Sequence, residues 1–212
     1  MSIQINYKNS ATKKTSANLI LFADENFDII GLKKYILKHE FSYISDLLKT
    51  NDLKKNLLVF EINSKKKIII VSIKKDYKES DVENLGAELY GRICNDKKIE
   101  YIINSDLIKS KLENFLGHLL HGVKLKSYEF NKYKTKKELT SITINIFGKK
   151  NKPSTHDQLK FKALEEGTFF TRDLVSEPGN VLHPDEYAKR LNSLKKIGLK
   201  IKIYDEKKLK KL

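Results

Sequence analysis

The side chains best suited to chemistry in this chain of 212 residues fall into a few short groups. His118 and His121 stand three apart, a spacing that puts both imidazoles on one face of a helix. A tetrahedral metal site needs further ligands, and neither a cysteine nor an acidic cluster accompanies them in the sequence. Two ordinary histidines are the expectation. Cys94 stands alone, so no internal disulfide is possible. Paired with His118 it could form a thiol nucleophile, but its surroundings offer no activating context. A small packing residue on a helix is the simpler reading. Glu165 and Glu166 read as a solvated helix face. Asp173 and Glu177, four apart, suit helix capping or an ion pair with Arg172. Gly31, Gly86, Gly91, Gly117 and Gly122 are scattered, with no Gly-x-Gly or Gly-x-x-Gly run, so the phosphate cradle of a nucleotide-binding module is not expected.

The elements that must position these groups follow from hydrophobic periodicity. Ile3–Tyr7 alternates, Asn18–Ala23 is a buried strand, and Leu57–Ile62 and Lys67–Ile73 form two strands around a polar hairpin loop. Asp28 to about Leu48 carries a helical stripe of Ile29, Leu32, Ile36 and Leu37. Glu79-Ser80-Asp81 caps a second helix with Val82, Leu85, Leu89 and Ile93 on one face. Gly86 and Gly91 within it cost helix propensity and permit close packing on a sheet. Ile99–Asn104 is a strand, and Ser105-Asp106 opens a helix to about Gly122. Tyr128–Tyr133 is irregular, and Ser141–Phe147 is a β-branched strand. This alternation predicts an α/β domain with a mixed sheet.

Gly148–Pro153 is the best linker in the chain, short, polar and closed by proline. It separates residues 1–150, the first domain, from residues 151–212. A long helix follows from about Thr155. Pro178 and Gly179 stop it, because proline lacks the N–H and glycine accepts positive φ. Pro184 opens another helix to about Lys196, with Asp185 and Glu186 at the positive end of its dipole. Gly198–Tyr204 reads as a strand, and Asp205 opens a last lysine-rich helical turn. One strand cannot bury both faces, so this second domain is expected to be incomplete.

Composition narrows the class. Forty per cent hydrophobic residues suffice for a core. No apolar run approaches the roughly 20 residues that span a bilayer, and the start of the chain lacks a signal-peptide pattern. A soluble cytoplasmic protein is expected. The net charge of +15 invites nucleic-acid binding. Of the 42 basic residues, however, only Arg92, Arg172 and Arg190 are arginine, the side chain that forks onto phosphates and guanine edges. Lysine spread through every segment predicts at most weak, nonspecific nucleic-acid binding, and a DNA-binding or regulatory role stays open as the alternative.

Two stretches go further than composition. Arg172, Asp173, Leu174, Glu177, Pro178, Asn180, Leu182, Pro184, Tyr187 and Ala188 lie in one ungapped window. It closely resembles the pattern R-D-L-x-N-E-P-x-N-x-L-x-P-x-x-[FY]-A that opens the catalytic domain of the leucine aminopeptidase (cytosol aminopeptidase) family. Ser176 stands where asparagine is usual and Gly179 where proline is common. Ser127, Tyr128, Phe130, Tyr133, Lys134, Thr135 and Lys136 are similar to the family's G-S-Y-x-F-x-x-Y-K-T-K, with Lys126 in place of the glycine.

The resemblance implies a macro-like N-terminal domain, a fold that elsewhere binds ADP-ribose, over residues 1–150. It implies a linker helix and the truncated start of a peptidase catalytic domain over residues 151–212. It also implies, for the parent protein, release of N-terminal residues from peptides by two divalent metal ions, manganese or zinc, in a homo-hexamer. The family's metal signature N-T-D-A-E-G-R is missing. Asn104-Ser105-Asp106 shares part of it before Leu107 breaks the pattern. No catalytic, cofactor-binding or metal-binding residue is therefore assigned, and the 212 residues alone are expected to bind no metal and to be inactive.

Overall fold

A computed structural model of the chain describes residues 2–8, 17–95, 99–135 and 141–211. Lys136, one of the family-like positions, lies outside them. The strands are β1 (Ser2–Tyr7), β2 (Asn18–Asp24), β3 (Leu57–Asn63), β4 (Lys66–Ile73), β5 (Glu100–Asn104) and β6 (Ser141–Phe147). The helices are α1 (Lys38–Leu48), α2 (Glu79–Ile93), α3 (Phe115–Lys126), α4 (Thr155–Ser176), α5 (Pro184–Ser193) and α6 (Glu206–Leu209). The strands form one sheet in the order β1-β6-β5-β2-β4-β3. All neighbours are parallel except the β3–β4 hairpin. The expected mixed α/β architecture is thus present. The chain divides into two compact units, Met1–Glu165 and Glu166–Leu212.

In the first unit, alternation along the strands sends side chains to two cores. Ile20, Phe22, Ile69, Val71, Tyr101, Ile103, Ile142 and Ile144 pack under α2 and α3. Leu21, Ala23, Ile68 and Ile70 pack under α1 and the turn before it. Covered on both sides, Ile68-Ile69-Ile70-Val71 of β4 is wholly buried, which explains why it reads as an unbroken apolar run. Lys66 interrupts that core, and its Nζ donates to Glu40 Oε1 at 2.6 Å with both side chains buried.

Two expected helices are shorter than their sequence patterns. Between Asp28 and Leu48 only a 3₁₀ turn, Ile30–Leu32, and α1 form. The Asp24 carboxylate accepts the N–H groups of Asn26 and Asp28, and the Asp28 carboxylate accepts that of Ile30. These local bonds compete with helix. Glu40 Oε2 then accepts the Leu37 N–H and starts α1 afresh. Likewise Ser105–Leu107 makes a single 3₁₀ turn, and α3 begins only at Phe115, after Asn114 in the left-handed region at φ 57°.

The two helices over the larger core touch through glycine. A Cβ on Gly86 would stand 2.0 Å from the Leu119 carbonyl oxygen, and one on Gly122 would stand 1.9 Å from that of Glu83. Backbone cannot move aside as a side-chain tip can, so only glycine lets α2 and α3 approach this closely. Against the expected close packing on a sheet at both α2 glycines, Gly86 packs on the α3 backbone instead, and Gly91 has open space around it. Gly122→Ala should therefore lose about 2 kcal/mol or more despite gaining helix propensity. Gly91→Ala should gain up to about 1 kcal/mol. Urea unfolding of the two variants checks the opposite signs.

In the second unit, α4 ends at Ser176, the chain turns through Pro178, and α5 starts with Pro184 in its first turn. Gly179 keeps its φ outside the left-handed region, so proline alone, not a positive-φ glycine, stops α4. Gly198, at φ 92°, closes a 3₁₀ turn, Leu194–Ile197. The expected strand from Gly198 to Tyr204 is not formed. Among the described residues Leu199–Tyr204 makes no ladder bonds, and no side chain from Pro178 to Lys211 is buried. A strand is defined by the neighbouring strand that accepts its N–H groups, and among the described residues no strand lies beside this segment.

Candidate functional site

His118 and His121 do meet, on α3, facing Glu83 of α2. Glu83 Oε1 lies 2.9 Å from His121 Nδ1 and 3.4 Å from His118 Nδ1. Glu79 Oε1 stands 3.8 Å from His118 Nε2. Phe161 of α4 lies against both imidazoles, with ring centroids 5.0 and 5.2 Å apart. A carboxylate oxygen can only accept, so Nδ1 of His121 carries the hydrogen. His121 Nε2 is buried with no hydrogen-bond partner among the described residues. Both rings spend one nitrogen on the same carboxylate, and among the described residues no three His, Cys, Asp or Glu side chains could hold a metal ion. The arrangement is a packing joint that seats the start of α4 on α3. Glu79 and Glu83, four apart on one helix face, were the sequence signal for it.

Cys94 is not brought to His118. It caps the far end of α2, eleven residues beyond Glu83, which is roughly 16 Å along the helix axis. Its thiol bonds the Gly91 carbonyl and Asn95, and the side chain packs against the larger core. Glu166 is exposed as expected, but Glu165 is half-buried. Burial, with the charge of Glu165 as a second cause, pushes the Tyr7 hydroxyl up to about 12.

Asn104-Ser105-Asp106, the partial likeness to a metal signature, is a clamp between the ends of β5 and β6. The Asp106 carboxylate accepts the N–H groups of Lys149 and Lys150 at 2.8 and 2.7 Å. The Ser105 hydroxyl donates to the Lys150 carbonyl, and Asn151 Nδ2 donates to the carbonyls of Ser105 and Ile108. Gly148, at φ 120°, has room for no side chain beside Ser105 Oγ. The Lys150 and Lys149 N–H bonds hold the Asp106 carboxyl below its ordinary value of 3.8. Stability from this clamp is therefore full above that value and lost as pH falls through the lowered one. The melting temperature of the native chain should fall more steeply below about pH 4 than that of Asp106→Asn, whose amide does not titrate there. Amide exchange at Lys149 and Lys150 locates the effect.

The family-like window around Arg172 is held by charge. Glu177, buried at the end of α4, meets Arg190 of α5 at 2.9 Å, and Arg190 Nε bonds Glu186 at 3.1 Å. The carboxylates of Glu177 and Glu186 raise the Arg190 guanidinium above its ordinary value. Arg190 is a partner of Glu177 that the sequence reading did not name, and the turn that folds α5 back beside Glu177 supplies it.

No family model matches the chain. Over its whole length it is 30% identical to the probable cytosol aminopeptidase of Sulfurihydrogenibium sp. (strain YO3AOP1), of which it covers 45%. The chain belongs to the cytosol aminopeptidase family. It spans less than half the length of that relative. The fold agrees. A tomato leucine aminopeptidase mutant superposes with a TM-score of 0.73 at 17% identity, over 99% of this chain and 46% of that one. The bottromycin maturation enzyme BotP in complex with Mn superposes with a TM-score of 0.62 at 12% identity, over 92% and 40%. In family terms the matched window is structural here: its glutamate and prolines shape the joint between α4 and α5.

Proposed function

We propose that the chain is the N-terminal portion of a two-metal leucyl-type aminopeptidase, a cytoplasmic homo-hexamer that releases N-terminal residues from peptides. Residues 1–150 are its macro-like domain, and residues 151–212 are the connecting helix and the opening of its catalytic domain. The carrying observation is the full-length match to a curated cytosol aminopeptidase of which the chain covers 45%. The manganese complex among the structural neighbours supports metal dependence in the parent. The exposed apolar side chains of Val175, Ile197 and Leu199 support further packing of the second unit in that parent.

Among the described residues no three His, Cys, Asp or Glu side chains converge as a metal site would require, which supports placing the metals in the rest of the parent. Residues 1–212 alone are inert in this reading. Purified chain supplied with manganese or zinc should release no aniline from a leucine anilide. Metal-dependent turnover that resists removal of trace host peptidases would overturn the inert assignment.

A further inference from the structure

α4 runs across the division between the two compact units, which falls at Glu165 and Glu166. Each end of the helix has its own anchor. Near the start, Phe161 is buried against His118 and His121, and the half-buried Glu165 acts by its charge on the Tyr7 hydroxyl. Near the end, Leu174 is buried, and Glu177 just beyond it is buried and paired with Arg190. Between Phe161 and Leu174 no residue is buried, and Lys162, Ala163, Leu164, Glu166 and Gly167 are exposed. The stretch from Lys162 to Gly167 completes more than one turn, so no face of the helix is fully packed there. Helices in proteins draw most of their stability from a packed face, and this stretch has none.

Gly167 closes this bare stretch. A Cβ there would meet nothing within 4 Å, and its φ lies outside the left-handed region. Neither a close approach, as at Gly122, nor a special backbone angle, as at Gly148, calls for glycine. Its physical effect is to weaken the helix at the point where tertiary support is absent. Thr171 adds to this. Its hydroxyl donates to the Gly167 carbonyl at 3.0 Å, the same carbonyl that the helical ladder uses, and such back-bonding bends helices. We propose that α4 is a hinge centred on Gly167, about which its second half takes more than one direction relative to the first unit. The ladder bonds that open are those reaching back across Gly167, from the N–H groups of Thr168 to Thr171. The turns on either side stay helical, held by Phe161 and by Leu174. The hinge does not depend on the peptidase reading, since it rests on the packing of α4 alone.

The test measures distances between spin labels on the 212-residue protein, at Asn84→Cys on α2 and Val175→Cys near the end of α4, in a Cys94→Ser background. Both labelled positions are exposed. A broad distance distribution is expected, and Gly167→Ala should narrow it to about half its width or less, because alanine restores helix propensity without meeting a neighbour. Gly179→Ala, beyond the end of α4 and equally free of neighbours, should leave the width unchanged. Amide exchange supplies the second readout. The amides of 168–171 should exchange faster than those of 159–162 and 173–176, and Gly167→Ala should slow them about four- to fivefold, the factor that the propensity difference supplies. A distribution that is already narrow, or whose width Gly167→Ala leaves unchanged, would overturn the hinge. So would amides of 173–176 that exchange as fast as those of 168–171, since the second half of α4 would then be fraying rather than swinging as a helix.

Discussion

Glu40→Ala is expected to destabilise the first unit by about 3–5 kcal/mol, because it removes one partner of a buried ion pair. Lys66 sits at the start of β4 with its ammonium 2.6 Å from Glu40 Oε1, and neither side chain reaches solvent appreciably. Taking both charges from water is costly, and the pair is stable only because each offsets the other. Glu40 also caps α1 through the Leu37 N–H, so its loss frays the helix start. Urea unfolding gives the loss directly. The decisive comparison is the double substitution Glu40→Leu, Lys66→Met, which should recover most of the stability, since two apolar side chains of similar volume leave no charge to desolvate. If the double variant is as weak as Glu40→Ala, packing rather than the uncompensated charge sets the cost.

Phe161→Ala should cost about 3–5 kcal/mol at the seat of α4. Phe161 is buried, lies against His118 and His121, and occupies the space that a side chain on Gly117 would need. A Cβ at Gly117 would stand 2.4 Å from the Phe161 ring. Gly117→Ala should therefore push the ring out and reproduce the effect without altering α4. Hydrogen exchange is the readout: in both variants amides of residues 155–165 should exchange faster, while those of β2 and β4 stay protected. Unchanged exchange in 155–165 would show that α4 is seated by other contacts.

The strands and the larger helices were legible from sequence because their periodicity reports burial directly. β4 is the clearest case: an isoleucine run covered on both faces needs no tertiary information to be recognised. The family was legible too, from ten residues around Arg172, among them Glu177, Pro178 and Pro184, which shape the turn from α4 into α5. The late start of the helix expected from Asp28 was not, because the Asp24 and Asp28 side chains compete for backbone N–H groups that periodicity treats as helical.

The sites depended on the fold even more. Histidine spacing put His118 and His121 on one face, but only the packing of α2 on α3, allowed by Gly86 and Gly122, set Glu83 between them. Asp106 looked like part of a metal signature, and the return of β6 beside β5 made it a clamp on Lys149 and Lys150 instead. Local sequence determined which residues are buried, helical or turned, since those depend on neighbours a few residues away. The tertiary structure decided which charges meet, and that Leu199–Tyr204 forms no strand, since each depends on a partner far along the chain.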